Sequence, residues 1–304
     1  MRRASIDIGS NSILLLIAQL GPDFEILANE ANVTGLGRGL DETGLFSNEA
    51  MNESLDTFKQ YSEICKKFNV ETSEVIVTAT EASRVAKNAQ EFYSKIKSLF
   101  GFNVKIISGE GEAYYSSMGV LLDRNIREKE ITIMDIGGAS TEIIKVDVIN
   151  KRILNSFSMP IGVVRITNWR SRGIDREEIN KVFEVFEDRI NDLKTSQLFC
   201  VAGTMTSVGN IYKNNTDFVE AEIQGLQFPI GELKNMYDKY HSWTPELFLS
   251  HFPFLGKRSQ TISAGFELAI SVMDKLNVES IYISTYGLRY GTLFSGGVSD
   301  DYLC

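Results

Sequence analysis

One motif occurs twice in the chain, and this repetition limits the possible folds more than any other feature. The first copy is Asp7-Ile8-Gly9-Ser10-Asn11-Ser12, and the second is Asp135-Ile136-Gly137-Gly138-Ala139-Ser140-Thr141. Each copy lies between two apolar runs, a pattern typical of a strand, a glycine turn with hydroxyl side chains, and a second strand. The two aspartates lie 128 residues apart, which is too long for a solenoid repeat and indicates a domain duplicated within one chain.

The remaining pattern of apolar residues supports two α/β halves. The polar segment Asp123–Glu130 precedes the second copy of the motif, so we expect domains at residues 1–124 and 125–304. Apolar runs predict strands at 4–8, 13–20, 25–33, 75–79, 104–107, 131–136, 141–148, 153–158, 198–202 and 280–284. Helical spacing predicts helices at 48–68, 82–99, 111–121, 176–194, 230–241 and 258–276. Ser47 is expected to cap the first of these helices.

The composition argues against several classes of protein. With 43% hydrophobic residues and only 5 prolines among 304 residues, the chain is neither disordered nor collagen-like. A net charge of −9 argues against a broad basic surface, so we expect no DNA, RNA or membrane partner. Three distant cysteines without a CxxC pair argue against a disulfide framework or a zinc site. The longest apolar run near the start, Ile13–Ala18, is too short to cross a bilayer. We therefore expect a cytoplasmic protein, and the sequence leaves its oligomeric state open.

A glycine turn of this kind favours phosphate binding. It lets successive backbone N–H groups converge on one anion, and Ser or Thr hydroxyls add donors. The aspartate that ends the preceding strand, Asp7 or Asp135, can hold a hard cation such as Mg²⁺. A single turn of this type is more often an ordinary hairpin, but the duplication favours two facing loops that clamp consecutive phosphates between two domains. A third turn, Gly203-Thr204, follows an apolar strand and leads into a helix, which again favours an anion.

Several segments resemble those of the exopolyphosphatase/guanosine pentaphosphate phosphohydrolase family. Beside the two loops they are Ala79–Asn88, Ser108–Ala113, Ser158–Arg165 and Tyr286–Gly291, in the family's order and over nearly the whole chain. That family belongs to the actin-like ATPase/sugar kinase/Hsp70 superfamily. The resemblance therefore implies a duplicated ribonuclease H-like α/β fold with a cleft between the domains. It also implies release of the terminal phosphate from polyphosphate, or of the corresponding phosphate from guanosine pentaphosphate, with Mg²⁺ as cofactor.

Matching positions carry the family's roles onto this sequence. By this resemblance Glu112 matches the catalytic base and Glu142 the second active-site glutamate. Asp135 matches the metal-linked aspartate, with Asp7 at the equivalent place in the first motif. The expected phosphate-binding residues are Gly9, Ser10, Asn11, Ser12, Arg84, Gly137, Gly138, Ser140, Thr141, Gly203 and Thr204. The chemistry agrees, because phosphoanhydride hydrolysis needs an oriented water, a carboxylate to accept its proton, and positive charge near the phosphates.

The sequence departs from the family's pattern at several positions. Ala139 replaces a third glycine; it is strained if the position needs a positive φ, and merely narrows the loop if it does not. Gly35 stands where the family has an arginine, Arg38 is new, Gln224 replaces a histidine, and the usual acidic residue near Arg258 is missing. The sequence also lacks the C-terminal extension of longer members, so we expect weaker processivity, or a preference for shorter phosphate chains or nucleotides. Two alternatives stay open: a non-catalytic binder of polyphosphate or nucleotide, and a small-molecule kinase of the same superfamily.

Overall fold

The computed structural model describes residues 1–21 and 23–304. The strands are β1 (Arg2–Ile8), β2 (Ser12–Gln19), β3 (Glu25–Val33), β4 (Ile76–Ala79), β5 (Val104–Ile106), β6 (Glu130–Ile136), β7 (Thr141–Asp147), β8 (Arg152–Met159), β9 (Gln197–Val201), β10 (Gln227–Pro229) and β11 (Ser280–Ile283). The helices are α1 (Leu40–Thr43), α2 (Asn48–Lys67), α3 (Glu81–Val85), α4 (Ala89–Phe100), α5 (Gly109–Val120), α6 (Val163–Ser171), α7 (Asp175–Asn191), α8 (Ala202–Tyr212), α9 (Glu220–Ile223), α10 (Ile230–Tyr240), α11 (Pro245–His251), α12 (Ile262–Lys275) and α13 (Leu288–Ser295). Short 3₁₀ helices lie at Thr72–Glu74, Pro253–Gln260 and Asp300–Tyr302.

The chain forms two compact units, each with its own hydrophobic core. One unit comprises Met1–Gly119 together with Leu288–Cys304, and the other comprises Val120–Gly287. None of the described helices combines the length and the apolar character needed to span a bilayer.

The first unit is built on a mixed sheet with the strand order β3-β2-β1-β4-β5. Strands β1, β2 and β3 pair antiparallel because short turns join them, whereas β4 and β5 follow helices and run parallel to β1. Ser47 caps α2 as predicted, its Oγ accepting a hydrogen bond from the Ala50 N–H at 3.2 Å. The α2 residue Tyr61 is fully buried against the sheet and donates its hydroxyl proton to the Ile13 carbonyl at 2.7 Å.

The sheet of the second unit repeats this topology. Its strand order is β10-β11-β9-β6-β7-β8, so that β8-β7-β6-β9-β11 corresponds to β3-β2-β1-β4-β5. The directions also agree: β6, β7 and β8 pair antiparallel, and β9 and β11 run parallel to β6. Strand β10 adds an antiparallel edge. The repetition confirms the predicted duplicated ribonuclease H-like α/β fold.

The boundaries of the units differ from the predicted division at 124/125. The chain leaves the first unit after Gly119 and returns to it at Leu288, so α13 and the C-terminal residues belong with the first sheet. Arg3 of β1 donates to the Leu293 carbonyl, and Ser5 donates to the Arg289 carbonyl, both at 2.7 Å. These contacts join residues almost 300 positions apart. The polar segment Asp123–Glu130, on which the predicted division rests, gives no sign of them.

Some helices also differ from the predicted ones. The predicted helix at 82–99 is divided into α3 and α4, because Asn88 is held outside the helix by two hydrogen bonds to the Phe46 backbone. Its Oδ1 accepts from the Phe46 N–H at 2.9 Å, and its Nδ2 donates to the Phe46 carbonyl at 3.0 Å. The helix predicted at 258–276 begins at Ile262, after a 3₁₀ segment. The short elements α1, α6, α9, α11, α13 and β10 are too brief for the apolar period to predict.

Candidate functional site

The first predicted loop joins β1 to β2 and is closed by the Gly9 N–H, which donates to the Ser12 carbonyl at 2.9 Å. The following segment holds the other carbonyls. The Ser10 carbonyl accepts from the Gly37 N–H at 2.7 Å, and the Asn11 carbonyl accepts from two N–H groups at 3.0 Å each. Among the described residues, none accepts from the N–H groups of Ser10 or Asn11. The loop therefore turns its carbonyls toward the protein and leaves backbone donors for an anion.

The second loop, between β6 and β7, is closed in the same way, with the Gly137 N–H donating to the Ser140 carbonyl at 3.0 Å. The first N–H groups of α6 are already used within the protein, since Val163 donates to the Gly137 carbonyl at 3.1 Å and Val164 to the Gly138 carbonyl at 2.8 Å. No other residue of the described chain accepts from the N–H groups of Gly138 or Ala139. Both copies of the motif thus close in the same way and leave backbone N–H donors without an acceptor among the described residues.

Ala139 is not strained in this loop. It is absent from the described residues with positive φ, so the methyl group narrows the loop without a conformational cost. The Thr141 side chain points into the protein in this structure. Its side chain is fully buried and its hydroxyl donates to the Ile161 carbonyl at 2.6 Å, so this group holds the segment before α6 against the loop.

Two carboxylates face the same side of the second sheet. Asp135 of β6 and Glu142 of β7 are directly paired across antiparallel strands, and their exposed fractions are 9% and 1%. Ser158 of β8 donates to Glu142 Oε1 at 2.7 Å and so fixes the orientation of that carboxylate. Like charges in this arrangement repel, and nearby positive charge stabilises them. In the first unit the corresponding pair is Asp7 and Leu14, so the acidic pair is a feature of the second unit alone.

Glu112 lies in the first turn of α5 and is 9% exposed. Arg84, at the end of α3, donates from Nη2 to Glu112 Oε2 at 3.0 Å. The same guanidinium donates from Nε and Nη2 to Glu81 Oε2 at 3.1 and 2.8 Å, and from Nη1 to the Ile107 carbonyl at 2.7 Å. Burial lowers the pKa of Arg84, but Glu112 and Glu81 together outweigh this effect and raise the pKa above its ordinary value. Arg84 therefore orients Glu112 in this structure.

The third turn contains a strained residue, and an arginine from a distant segment packs on the turn. Ala202 has a φ of 67°, a left-handed conformation that costs an alanine free energy. The Arg258 guanidinium packs so closely on Gly203 that a Cβ there would lie 2.8 Å from Nη2. This places a cation beside the start of α8. The basic pair at 257–258 is visible in the sequence, but nothing in it shows that this pair meets a turn more than 50 residues earlier.

Sheet topology gathers the predicted residues of each unit at one edge. In the first unit, β1, β4 and β5 are parallel, and their carboxyl ends lead into the Gly9 loop, into α3 with Arg84, and into α5 with Glu112. In the second unit, β6 and β9 end at the Gly137 loop and at the turn with Gly203 and Thr204. The roles of these residues in binding or catalysis remain predictions.

Comparisons with known proteins show the family to which this chain belongs. The model of the Ppx/GppA phosphatase family matches residues 16–297. Exopolyphosphatase 2 from Mycobacterium tuberculosis is 26% identical over 97% of this chain and 98% of its own length. A guanosine-5'-triphosphate,3'-diphosphate pyrophosphatase from Aliivibrio fischeri is 25% identical over 96% of this chain. The crystal structure of the Aquifex aeolicus member of the Ppx/GppA family matches with a TM-score of 0.76 at 29% identity, over 97% of each chain.

The curated relatives differ in length. The chain spans 58% of the Aliivibrio fischeri protein and 46% of a bifunctional 3-dehydroquinate synthase/phosphatase from Fusobacterium nucleatum, to which it is 27% identical.

Proposed function

Because the chain belongs to the Ppx/GppA phosphatase family, we propose that it hydrolyses a terminal phosphoanhydride, that of inorganic polyphosphate or that of guanosine pentaphosphate. The observation that carries this proposal is the repeated loop geometry. Both loops turn their carbonyls into the protein and leave consecutive N–H groups for anionic oxygens. Such donors suit a ligand made of repeated phosphates, and the names of two relatives refer to substrates of this kind.

In the proposed mechanism the N–H groups of Ser10, Asn11, Gly138 and Ala139 bind phosphate oxygens. Glu112 orients a water molecule whose oxygen attacks the terminal phosphorus. The bond from that phosphorus to the bridging oxygen breaks, and its electron pair stays on the shortened phosphate chain. The proton of the water passes to the Glu112 carboxylate, which Arg84 holds in position. A positioned general base of this kind contributes about 10²- to 10⁴-fold to the rate.

Asp135 and Glu142 fit a Mg²⁺ ion. Two buried carboxylates on one face supply the hard oxygen ligands that this ion prefers. Magnesium in phosphoryl-transfer sites commonly takes one or two carboxylates and completes its shell with water and substrate oxygens. When bound, the ion would offset phosphate charge. Asp7, at the place in the first motif that corresponds to Asp135, is a further proposed metal-linked carboxylate.

The proposal includes a cytoplasmic location. Cys65, Cys200 and Cys304 are free thiols in the structure, which suits a reducing compartment. Nucleic acid and membrane partners are not part of the proposal, because the net charge of −9 disfavours both.

The test is phosphate release from polyphosphate, guanosine pentaphosphate and ATP, with and without Mg²⁺, for the wild type and Glu112→Gln. Glu110→Gln is the matched control, because Glu110 lies in the same helical turn and is exposed. We expect Glu112→Gln to lose about 10²- to 10⁴-fold in kcat and Glu110→Gln to keep its activity. Full activity in Glu112→Gln would overturn the assignment of the base. Tight binding without release under any metal condition would instead indicate a non-catalytic binder, and consumption of ATP only with an acceptor would indicate a kinase.

A further inference from the structure

Glu81 is a carboxylate that the proposed mechanism does not yet use. It opens α3, immediately after β4, and its side chain is 23% exposed. A single oxygen, Oε2, accepts from both Nε and Nη2 of Arg84, at 3.1 and 2.8 Å. These bonds hold one edge of the guanidinium, the same edge that reaches Glu112 through Nη2.

The remaining donor of Arg84 is also fixed. Nη1 donates to the Ile107 carbonyl at 2.7 Å, and Ile107 immediately precedes Ser108, whose Oγ accepts from the Gly111 N–H at 3.1 Å in the first turn of α5. The guanidinium is therefore fixed by Glu81 on one edge and by the start of the Glu112 segment on the other. An arginine side chain loses about 2 kcal/mol of rotamer entropy when it is ordered. The bonds to Glu81 and Ile107 already order the Arg84 side chain, so its bond to Glu112 requires no further loss of rotamer entropy.

The charge balance of the group follows from the same contacts. One guanidinium is shared by two carboxylates, so the group of Glu81, Arg84 and Glu112 carries a net negative charge when both acids are ionised. Arg84 alone with Glu112 would form a closed ion pair, and the strong attraction would make Glu112 a weaker base. Glu81 competes for the same positive charge. It therefore positions Arg84 and also limits the attraction that Arg84 exerts on Glu112.

We propose that Glu81 is a positioning residue for the hydrolysis, acting through Arg84 on Glu112; this inference rests on the proposed function. Its simpler role would be that of an i,i+3 ion pair on a short helix, which contributes only a few tenths of a kcal/mol and has no effect on turnover. The two roles differ in their effect on kcat. A surface ion pair leaves kcat unchanged, whereas a positioning residue lowers kcat without a matching change in KM.

Three variants separate these roles. Glu81→Ala removes the acceptor of two guanidinium bonds, Glu81→Gln keeps an acceptor oxygen without the charge, and Glu91→Ala is the control. Glu91 is an exposed glutamate in the first turn of α4. We expect Glu81→Ala to lower kcat about 10- to 100-fold, since a misplacement near 1 Å costs on the order of 100-fold. We expect KM and the melting temperature to stay near the wild-type values. Glu81→Gln should recover only part of the lost kcat, because it restores the acceptor oxygen but not the charge that competes for Arg84. Glu91→Ala should match the wild type.

A wild-type kcat in Glu81→Ala would overturn the inference, and so would a rise in KM with kcat unchanged. A loss that Glu81→Gln does not relieve at all would also count against it. A second measurement is independent of activity. The Nε–H signal of Arg84 in ¹H–¹⁵N spectra, assigned by its disappearance in Arg84→Lys, should shift in Glu81→Ala and stay in place in Glu91→Ala. If the wild type hydrolyses none of the substrates, the proposed function fails, while the NMR result still tests whether Glu81 orders Arg84.

Discussion

Gly162 offers the sharpest test of the second loop, because the structure leaves no room for a side chain there. Its φ of −150° is extended backbone that alanine adopts readily, so Gly162→Ala introduces no backbone strain. The cost is purely steric. An added Cβ would lie 2.5 Å from the carbonyl carbon and oxygen of Gly138 and 2.7 Å from the Ala139 nitrogen. All three atoms are backbone, so no side chain can move aside to relieve the overlap.

The size of the effect follows from these distances. Ordinary van der Waals contact begins at 3.4 Å, so the loop must move by about 0.9 Å. Forcing an extra methyl group into a packed site costs about 1–3 kcal/mol of stability. In a unit of this size each kcal/mol lowers the melting temperature by about 2–4 °C. The same displacement moves the N–H donors of Gly138 and Ala139, and a shift near 1 Å reduces turnover about 100-fold.

The assay combines thermal unfolding with steady-state phosphate release. Gly231→Ala is the matched control, because Gly231 lies in α10 of the same unit and its Cβ would have no neighbour within 4 Å. Alanine in an open helical position gains about 0.5–1 kcal/mol over glycine, so the control should melt slightly higher and keep full activity. If Gly162→Ala behaves like Gly231→Ala, the packing of α6 against the loop and the role of the loop are both refuted.

Three further outcomes are expected. Ala202→Gly should raise the free energy of unfolding in urea by about 0.5–1 kcal/mol, because glycine adopts the left-handed conformation without strain and this gain exceeds the entropic cost of glycine in the unfolded chain. An unchanged or lower value would contradict the strain at Ala202. Tyr302→Ala removes a ring stacked on α5 and should lower both stability, by about 1 kcal/mol, and kcat, as scanning fluorimetry and kinetics would show; equal kcat would separate this ring from the site. Burial raises the pKa of Cys65 to about 11 and that of Cys200 well above the ordinary value, so both stay protonated as the pH rises through 8 to 9. At pH 8 iodoacetamide should therefore modify the native protein only at the exposed Cys304, and mass spectrometry showing early modification of a second thiol would contradict this.

The sequence predicted the elements whose signals are local. Ser47 marks the start of α2 by an interaction that closes within three residues, and the apolar face of that helix repeats with the helical period. The C-terminal segment could not be placed in this way. Gly291 belongs to the first unit because a Cβ there would lie 1.7 Å from the Tyr115 carbonyl oxygen. In the sequence Gly291 is one of 24 glycines, and nothing marks it as a contact with Tyr115.

The candidate site shows the same division between single residues and their partners. Glu112 and Arg84 were chosen individually, from a motif and a resemblance. The i,i+3 spacing of Glu81 and Arg84 is local, but the bond from Arg84 to Glu112 depends on the meeting of α3 and α5 after β4 and β5 pair, which no spacing along the chain encodes. The bond from Ser158 to Glu142 likewise requires the register of β7 with β8. The partner of the Thr141 hydroxyl, the Ile161 carbonyl, likewise lies 20 residues away and is not indicated by the motif.

The duplication explains how an acidic chain suits a polyanionic substrate. Backbone geometry is the part that both copies keep: Gly9 and Gly137 close their loops by equivalent bonds, and the N–H donors that the loops leave unpaired carry no net charge. Side chains are the part that has diverged, because Asp7 faces Leu14 where Asp135 faces Glu142. Binding by neutral N–H groups does not require a basic surface, so a net charge of −9 is compatible with phosphate recognition. The carboxylates that contribute to this charge are then available for the chemical step. In the proposed mechanism they take the proton of the water and hold the cation, tasks that the backbone donors cannot perform.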